Sequence, residues 1–342
     1  MISTLKFLLS NQLKRSKGIQ QVDGFTLIEL LVAMILAFLI ITPLLGFMVN
    51  IMSTDRQEQA KANSEQEIQA ALDYIARDLQ QAIYIYDATG VGCLTGTADT
   101  TTCPNAGTTG NQLPNPTATD RVPILVFWKR ELVSQVITVG TQQDDTFVYS
   151  LVAYYLIKDT NTTWSNAARI ARWQIRDGVP DPSSTQTCGK YLTGQCPSPS
   201  FALFKLDGIG TITQKMNAWT KAAVVAPAVP PAPLVLVDFI DQTKTDDVPE
   251  TPSVTCPPNS ANNTWSKVPP NTATFNTRDT YKMTGFYSCV DRVNTTAQVF
   301  IRGNALARIE TDSNKIKYAD SKKTYFPTAS IRVQGRGYLF TK

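Results

Sequence analysis

The feature that most constrains this chain is a nearly unbroken apolar run over residues 27–52. A helix needs about 20 apolar residues to cross a bilayer, and this run is long enough. The sequence therefore predicts one membrane-spanning helix near the N-terminus. The residues that interrupt the run are Glu29, Thr42, Pro43, Gly46 and Asn50.

Basic residues before the run predict its orientation. Lys6, Lys14, Arg15 and Lys17 stand against Asp23 in the first 24 residues. Because positive segments stay on the cytoplasmic side, we expect a cytoplasmic N-terminus. The chain carries a formal charge of +4, but residues 25–342 hold 28 basic and 27 acidic residues. A nucleic-acid binder carries its basic patch on the folded part, so no nucleic-acid partner is expected.

Two ordinary explanations of the apolar run fit poorly. A cleaved signal peptide has an apolar region of about 7–15 residues followed by a small-residue cleavage site. This run is longer, and no A-x-A pattern follows it. A plain signal anchor leaves Glu29 unexplained, because an acidic side chain inside the membrane costs about 2.5–3.5 kcal/mol on insertion scales. Glu29 is therefore expected to have a partner and a function.

Residues 24–34 read GFTLIELLVAM, which resembles the prepilin cleavage and methylation motif of type IV pilin-like proteins. The resemblance implies that a membrane-embedded prepilin peptidase cuts after Gly24 and methylates the new amine of Phe25. Glu29 then becomes the fifth residue of the mature chain, the position at which this family carries its glutamate. Pro43 lies near the position where the family often has a helix-kinking proline.

The charges created by such cleavage suggest a role for Glu29 in filament assembly. Cleavage leaves a cationic amine on Phe25 at the membrane, and methylation keeps its charge. An unpaired buried charge is costly, and a paired one is much less so. The carboxylate of Glu29 in one subunit can pair with the amine of a neighbour, which favours one axial offset between subunits.

The helix is predicted to continue beyond the membrane. From residue 53 polar residues become frequent, and apolar ones recur in steps of three or four. We expect one helix over residues 25–86, roughly 90 Å long at about 1.5 Å per residue. The predicted domains are a cleaved leader (1–24), a spanning half (25–52), an amphipathic half (53–86) and a globular head (87–342). The apolar stripe consists of Ile68, Leu72, Ile75, Leu79, Ile83 and Tyr86.

The head is predicted to be β-rich. Short runs of Val, Ile, Phe, Tyr and Trp between turn residues are typical of strands. The expected fold is α+β and pilin-like, with the long helix packed on an antiparallel β-rich head with disulfide-stapled loops. Residues 89–119 and 241–265 are predicted to be irregular, and residues 222–233 to be extended. The predicted strands are 122–128, 132–139, 147–157, 170–175, 201–206, 234–240, 286–290, 298–302, 306–310 and 330–340.

All six cysteines follow the apolar run, and they are expected to form disulfides in an oxidising compartment. Six cysteines allow 15 pairings, and sequence alone does not choose among them. Two close spacings, 93 to 103 and 188 to 196, look like local loop staples and would leave the other two cysteines to pair. No C-x-x-C occurs, so a zinc site is not favoured. The candidates are Cys93, Cys103, Cys188, Cys196, Cys256 and Cys289.

No catalytic site, cofactor or metal is predicted. The chain has no histidine, which removes His-based triads, general bases and His metal sites. It also lacks the P-loop, G-x-G-x-x-G and G-x-S-x-G motifs. Acidic residues could bind calcium, but no EF-hand spacing occurs and a solvated loop is favoured; Asp144 and Asp145 are predicted to form a turn. The calcium candidates are Asp238, Asp241, Asp246 and Asp247.

The five tryptophans could stack on sugars, although packing in the core or in loops is favoured over that role. They are Trp128, Trp164, Trp173, Trp219 and Trp265.

Three further segments extend the resemblance. Residues 69–79, QAALDYIARDL, look like those of the larger minor pilins and pseudopilins. Residues 299–306 and 330–337 are similar to a cyanobacterial pseudopilin family that serves polysaccharide secretion in hormogonia, which are gliding filaments. The resemblance implies a non-enzymatic minor pseudopilin of a type IV pilus-like or type II-like filament. The alternatives are a subunit of a pilus or type II protein secretion system, or a filament-tip adhesin that binds polysaccharide.

The resemblance also implies partners and a location. The partners are the prepilin peptidase, other pilins or pseudopilins, an inner-membrane assembly platform with a cytoplasmic ATPase, and a secreted polysaccharide. The protein is expected to cross the inner membrane once, with its head in the periplasm, and to reach the cell surface in a filament.

Overall fold

We describe the fold from a computed structural model of the chain. It describes residues 24–96, 103, 112–114, 120–160, 162–181, 188–224, 228–247, 255–269 and 279–337. The predicted leader, apart from Gly24, lies outside these residues. The chain divides into two compact units, Met1–Asp55 and Arg56–Lys342. In the first unit the described residues are the exposed residues 24–26 and the beginning of a long helix.

The long helix α1 (Leu27–Gln80) has 54 residues, about 81 Å at 1.5 Å per residue. It ends at Gln80, six residues before the predicted helix end at Tyr86. The chain turns at Gln81 and enters strand β1 (Ala82–Ile85), which pairs with the next strand. All four residues of β1 are buried, and a short strand buried on both faces cannot be told from a helix by periodicity. For this reason the apolar spacing of Ile83 and Tyr86 predicts a continuation of the helix, which the structure does not have.

Nine strands, including β1, and five short helical segments follow α1 among the described residues. The strands are β1, β2 (Arg121–Val139), β3 (Gln142–Ile157), β4 (Ala168–Arg176), β5 (Leu234–Ile240), β6 (Trp265–Val268), β7 (Phe286–Asp291), β8 (Thr296–Arg302) and β9 (Thr328–Gln334). The α-helices are α2 (Ala88–Thr95), α3 (Ile212–Asn217) and the one-turn α4 (Asp279–Lys282). Two 3₁₀ helices, Ala305–Arg308 and Asp320–Tyr325, lie between β8 and β9.

The strands form two antiparallel sheets, which confirms the predicted α+β class. The first sheet has the order β1-β2-β3-β4-β5 and the second the order β6-β7-β8-β9. The second half of α1 supplies one face of the core: Ile68, Leu72, Ile75 and Leu79 are buried in the same cluster as the inward side chains of both sheets. The predicted amphipathic stripe up to Leu79 is therefore the core-facing side of α1.

Two predicted strands turn out to be one. Residues 122–128 and 132–139 both belong to β2, which continues through a bulge where Gln135 has a φ of 52°. The hairpin turn lies at Gly140, with a φ of 64° that favours glycine, and at Thr141. The predicted turn at Asp144 and Asp145 is wrong, because both residues lie inside β3.

Two other predicted strands are absent. Residues 201–206 have no strand partner, because Phe201 and Phe204 pack edge-on against Trp128 in place of pairing along a sheet. Residues 306–310 overlap the 3₁₀ helix Ala305–Arg308, whose first turn is capped by the side chain of Asn304. Local side-chain packing and capping outweighed the strand-like composition of both segments.

The irregular segments are also more structured than predicted. Helix α2 lies at the start of the predicted loop 89–119, and β6 begins at the end of the predicted loop 241–265. Asp87 caps α2 by accepting a hydrogen bond from the Gly90 amide at 2.8 Å. The last predicted strand ends at Gln334, and its residues 338–340 lie outside the described part of the chain.

Three disulfides join the six cysteines. They link Cys93 to Cys103, Cys188 to Cys196, and Cys256 to Cys289, with Cα–Cα distances of 5.5, 5.9 and 5.6 Å. This is the pairing that the close spacings favoured. Two of the disulfides close local loops, and the third ties the segment before β6 to strand β7.

Glycines allow the chain after β9 to approach β1. The amide of Gly337 donates a hydrogen bond to the carbonyl of Ala82 at 3.1 Å. A Cβ on Gly335 would lie 2.5 Å from that carbonyl oxygen, and a Cβ on Gly337 would lie 2.1 Å from the side chain of Ile83. Close backbone approach therefore explains two glycines of the segment 330–337 in structural terms.

A buried carboxylate fastens α1 to the first sheet. Asp78 accepts hydrogen bonds from Lys129 Nζ at 2.9 Å, Tyr154 Oη at 2.6 Å and Arg172 Nε at 2.7 Å. Burial raises the pKa of Asp78, but the hydrogen bond and charge of Arg172 and the charge of Lys129 outweigh it and hold the pKa below its usual range. One residue near the end of α1 thus ties three neighbouring strands to the helix.

We expect Asp78→Ala to destabilise the protein by about 3 kcal/mol, because it leaves the buried Lys129 and the partly buried Arg172 without their shared carboxylate. Thermal unfolding of the detergent-solubilised protein, followed by near-ultraviolet circular dichroism, measures this. Asp73→Ala is the matched control, since Asp73 is exposed on the same helix and should change stability by less than about 0.5 kcal/mol. Equal effects of the two substitutions would show that the buried network adds no stability.

Acid should weaken the same interaction. A carboxylate with a lowered pKa in the folded state adds stability above its unfolded pKa of about 3.9, and this contribution falls as pH drops toward the folded pKa. The stability difference between the wild type and Asp78→Ala should therefore shrink below about pH 4.

Candidate functional site

The motif residues lie at the beginning of α1. Residues 24–26 precede the first helical residue, Leu27, and have neither helix nor strand structure. Gly24 and Phe25 are exposed, and a Cβ built on Gly24 would have no other heavy atom within 4 Å. The peptide bond between Gly24 and Phe25 therefore lies in an accessible, non-helical segment, as a peptidase requires of its substrate.

Thr26 and Glu29 form a reciprocal capping box. The amide of Thr26 donates to Glu29 Oε2 at 3.1 Å, and the Thr26 hydroxyl donates to the same oxygen at 2.9 Å. The amide of Glu29 in turn donates to Thr26 Oγ1 at 3.3 Å. This arrangement satisfies amides at the helix end that have no partner within the helix. A carboxylate in the first turn is also favoured by the helix dipole.

Thr26 is a site residue that the motif comparison did not single out. The sequence carried the signal, since T-x-x-E directly before an apolar run is the pattern of a capping box. In the isolated chain the carboxylate of Glu29, five residues after Gly24, is therefore bonded within its own chain to Thr26. Glu29 has a local partner before any neighbour arrives.

The apolar residues of the first half of α1 have no cover in the structure. The described helix contains an 18-residue segment with a mean hydropathy of 2.7, and none of it is buried. By length and composition this segment can cross a membrane, although a signal sequence passes the same test. Large side chains such as Leu27, Phe38 and Phe47 are more than half exposed. They need lipid or other helices around them.

Pro43 lies inside α1, which is helical on both sides of it. Proline has no amide hydrogen to donate and crowds the carbonyl four residues earlier. The Thr42 hydroxyl donates to the Phe38 carbonyl at 2.8 Å, in the turn just before this gap. The predicted kink at Pro43 stays a prediction.

Residues 20–45 match the model of the prokaryotic N-terminal methylation motif.

This match covers the Gly24–Phe25 bond, the capping box and Pro43, and it supports a type IV pilin-like protein. The motif implies processing by the prepilin peptidase and assembly with other pilins, and the apolar helix fits a pilin anchored in the inner membrane. The matched segment is short and leaves the head outside it. No curated protein and no solved structure shows a significant match to the chain.

The acidic residues considered for calcium are bonded to protein groups. Asp238 accepts hydrogen bonds from Ser165, and Asp241 pairs with Arg302 at 2.7 Å. Asp246 pairs with Lys282 and Asp247 with Lys317, at 2.6 and 3.3 Å. The described part of the chain contains no group of three or more His, Cys, Asp or Glu residues that could hold a metal ion.

Four of the five tryptophans are buried, which agrees with the predicted packing role. Trp128, Trp173, Trp219 and Trp265 are buried, and Trp128 lies in an edge-on cluster with neighbouring aromatic rings. Trp164 is exposed.

Removing the cap should loosen the beginning of α1. We expect Thr26→Ala to destabilise the first turn by about 1 kcal/mol, because the amide of Glu29 loses its acceptor. Hydrogen exchange of the amides of residues 29 and 30 in detergent should then be about fivefold faster. Thr26→Ser keeps a hydroxyl and should exchange like the wild type, and Thr42→Ala should leave these amides unchanged. Unaltered exchange in Thr26→Ala would contradict the capping role.

Proposed function

We propose that this chain is a type IV pilin-like minor pseudopilin that is cut after Gly24, methylated on Phe25 and built into a filament. The match of residues 20–45 to the methylation motif carries the proposal. The accessible Gly24–Phe25 bond, the carboxylate at Glu29 and the uncovered apolar half of α1 support it.

Assembly follows from the physical needs of this segment. The apolar half of α1 leaves lipid only if other helices cover it, because water does not solvate it favourably. Glu29 then needs a cationic partner in a dry environment, since a buried lone carboxylate is costly. The amine of Phe25 from a neighbouring copy or another pilin supplies that charge. Repeated head-to-tail contacts of this kind give an open filament.

The topology belongs to the same proposal. The basic leader keeps the N-terminus in the cytoplasm, where the prepilin peptidase acts on the membrane-inserted chain. The head, with three disulfides, folds in the oxidising periplasm. Its assembly uses a membrane platform with a cytoplasmic ATPase, so the chain itself needs no nucleotide site.

The mature N-terminus is the first test. We expect mass spectrometry of the protein from native membranes to find N-methylated Phe25. An intact Met1, or a cut just after Met52, would overturn the proposal, because both outcomes are incompatible with prepilin processing.

Assembly should depend on the charge of Glu29. We expect Glu29→Gln to lower incorporation into filaments at least tenfold while leaving cleavage after Gly24 intact, because the amine of a neighbouring Phe25 loses its anionic partner. Immunoblotting of sheared filaments against whole cells measures incorporation. Glu58→Gln is the matched control, since Glu58 is an exposed glutamate further along α1 that pairs with nearby Lys61. Wild-type incorporation of Glu29→Gln would count against the assembly role.

We further propose that the filament serves polysaccharide secretion and gliding. The support is the similarity of residues 299–306 and 330–337 to the cyanobacterial hormogonium pseudopilins. Close backbone approach alone accounts for Gly335 and Gly337, so these two glycines do not distinguish this pseudopilin family from others. Deleting the gene should abolish extracellular polysaccharide, measured by lectin staining, and leave protein secretion unchanged. The opposite result would instead favour a subunit of a protein secretion system.

A further inference from the structure

A two-stranded ribbon projects beyond the first sheet. β4 pairs with β3 only from Ser150 onward, and β1 pairs with β2 no further than Lys129. Residues 131–148 therefore pair only with each other within the described sheet. We call residues 130–149 the arm. Its ten residues on β2 span about 33 Å. An isolated two-stranded ribbon is marginally stable in water, which suggests that something covers it.

The arm exposes apolar side chains. Leu132 and Phe147 lie opposite each other across its two strands and are 53% and 49% exposed. The guanidinium of Arg130 stacks over the ring of Phe147 at 3.8 Å. At the tip, Val139 is 56% exposed. Val139 pairs with Gln142 and so lies on the other face of the ribbon from Leu132 and Phe147. Adjacent half-exposed aliphatic and aromatic side chains such as Leu132 and Phe147 are typical of a contact surface.

A groove lies at the base of the arm. Residues 202–222, which connect β4 to β5 together with their flanks, enclose a groove of about 860 Å³. Phe204 from this segment packs on Trp128 and on Tyr149, where the arm begins. Lys129, the next residue after Trp128 on β2, donates a hydrogen bond to Asp78 of α1. Because side chains alternate along a strand, the groove lies on the face of the sheet opposite α1.

The arm and the groove carry opposite charge. Near its tip the arm has Asp144 and Asp145, whereas Glu131 at its base accepts hydrogen bonds from Ser150 and Gln174 and lies 3.8 Å from Lys129. The groove is lined by Lys205, Lys215 and Lys221 against Asp207, and Lys215 Nζ donates a hydrogen bond to the Leu206 carbonyl at 2.7 Å. Asp144 is exposed near the tip of the arm, and Lys205 is exposed at the groove.

The groove also offers apolar contacts. Leu203 is 44% exposed, and the side chain of Ile209 is fully exposed at its edge. The face thus presents an acidic projection and a basic recess side by side, with apolar residues on both. A surface that carries both halves of a complementary contact can pair with a copy of itself about a two-fold axis.

We propose that two copies of this chain pair through this face, with the acidic arm of each copy lying in the lysine-lined groove of the other. The pairing covers Leu132 and Phe147 and matches carboxylates with ammonium groups. It goes beyond assembly through Glu29 and uses residues of the head alone. A two-fold pair is closed, so it joins subunits in pairs and does not by itself extend a filament.

Cross-linking between two differently tagged full-length copies in native membranes tests the pairing. One copy carries Asp144→Cys and the other Lys205→Cys, and a short bismaleimide joins free thiols. The six native cysteines are all in disulfides, so only the new thiols react. We expect a covalent dimer containing both tags, at a yield at least tenfold above that of the control pair Asp144→Cys with Lys323→Cys. Lys323 is exposed on the 3₁₀ helix Asp320–Tyr325, outside the proposed face.

Charge reversal provides an independent measure. A reporter pair, Leu132→Cys with Leu203→Cys, is cross-linked in charge variants. Asp144→Lys alone and Lys205→Glu alone should each lower the yield about fivefold, and the two together should restore it. Equal yields for the test and control pairs, loss without restoration, or cross-linking to a different protein in place of the second copy would overturn the pairing.

The same membranes separate this inference from the proposed function. Methylated Phe25 without the covalent dimer overturns the pairing alone. The dimer with an intact Met1 supports the pairing and overturns the prepilin proposal.

Discussion

The structure depends on one helix that has to satisfy two environments. Over residues 27–52, α1 is apolar on every side, and no part of the described chain covers it. From Ala60 onward the same helix is amphipathic, and its buried apolar side chains from Ile68 to Leu79 belong to the main core of the head. The head cannot keep this core without the second half of α1, because Ile68, Leu72, Ile75 and Leu79 are part of it. Helix α1 therefore supplies both the uncovered apolar segment and one face of the core of the head.

The capping box supplies hydrogen-bond donors to the carboxylate of Glu29 within its own chain. A carboxylate taken into a dry environment without a partner costs several kcal/mol. Its hydrogen bonds to Thr26 meet part of that cost within the single chain. A cap of this kind contributes only about 1 kcal/mol, whereas a cationic amine removes the uncompensated charge itself. If the proposed processing occurs, exchanging the cap for the amine of Phe25 on a neighbour favours the assembled state. The direction of assembly then follows from the difference between these two interactions.

Sequence reasoning predicted the features that depend on local pattern. The spanning run, the stripe up to Leu79, the antiparallel head, most strands and the disulfide pairing suggested by close spacing agree with the structure. It failed where tertiary contacts decide the conformation. Ile83 has helical spacing yet lies in a strand, because its neighbours pair with β2. The network around Asp78 links it to Lys129, Tyr154 and Arg172, which follow it by 51, 76 and 94 positions in the chain. No local pattern could have shown these contacts.

Of the candidate site, Gly24, Phe25 and Glu29 were found by their motif, and Thr26 could have been found from its spacing to Glu29. Their predicted roles in processing and assembly remain predictions, because those roles concern a peptidase and neighbouring subunits. The arm has features that sequence reasoning could not predict. Its two strands were read as β from composition, but their length, the bulge at Gln135 and their lack of further strand partners are properties of the whole sheet. A ribbon of this length with half-exposed Leu132 and Phe147 gains little from its own fold. In the proposed pairing, contact with the lysine-lined groove of a second copy supplies that stabilisation.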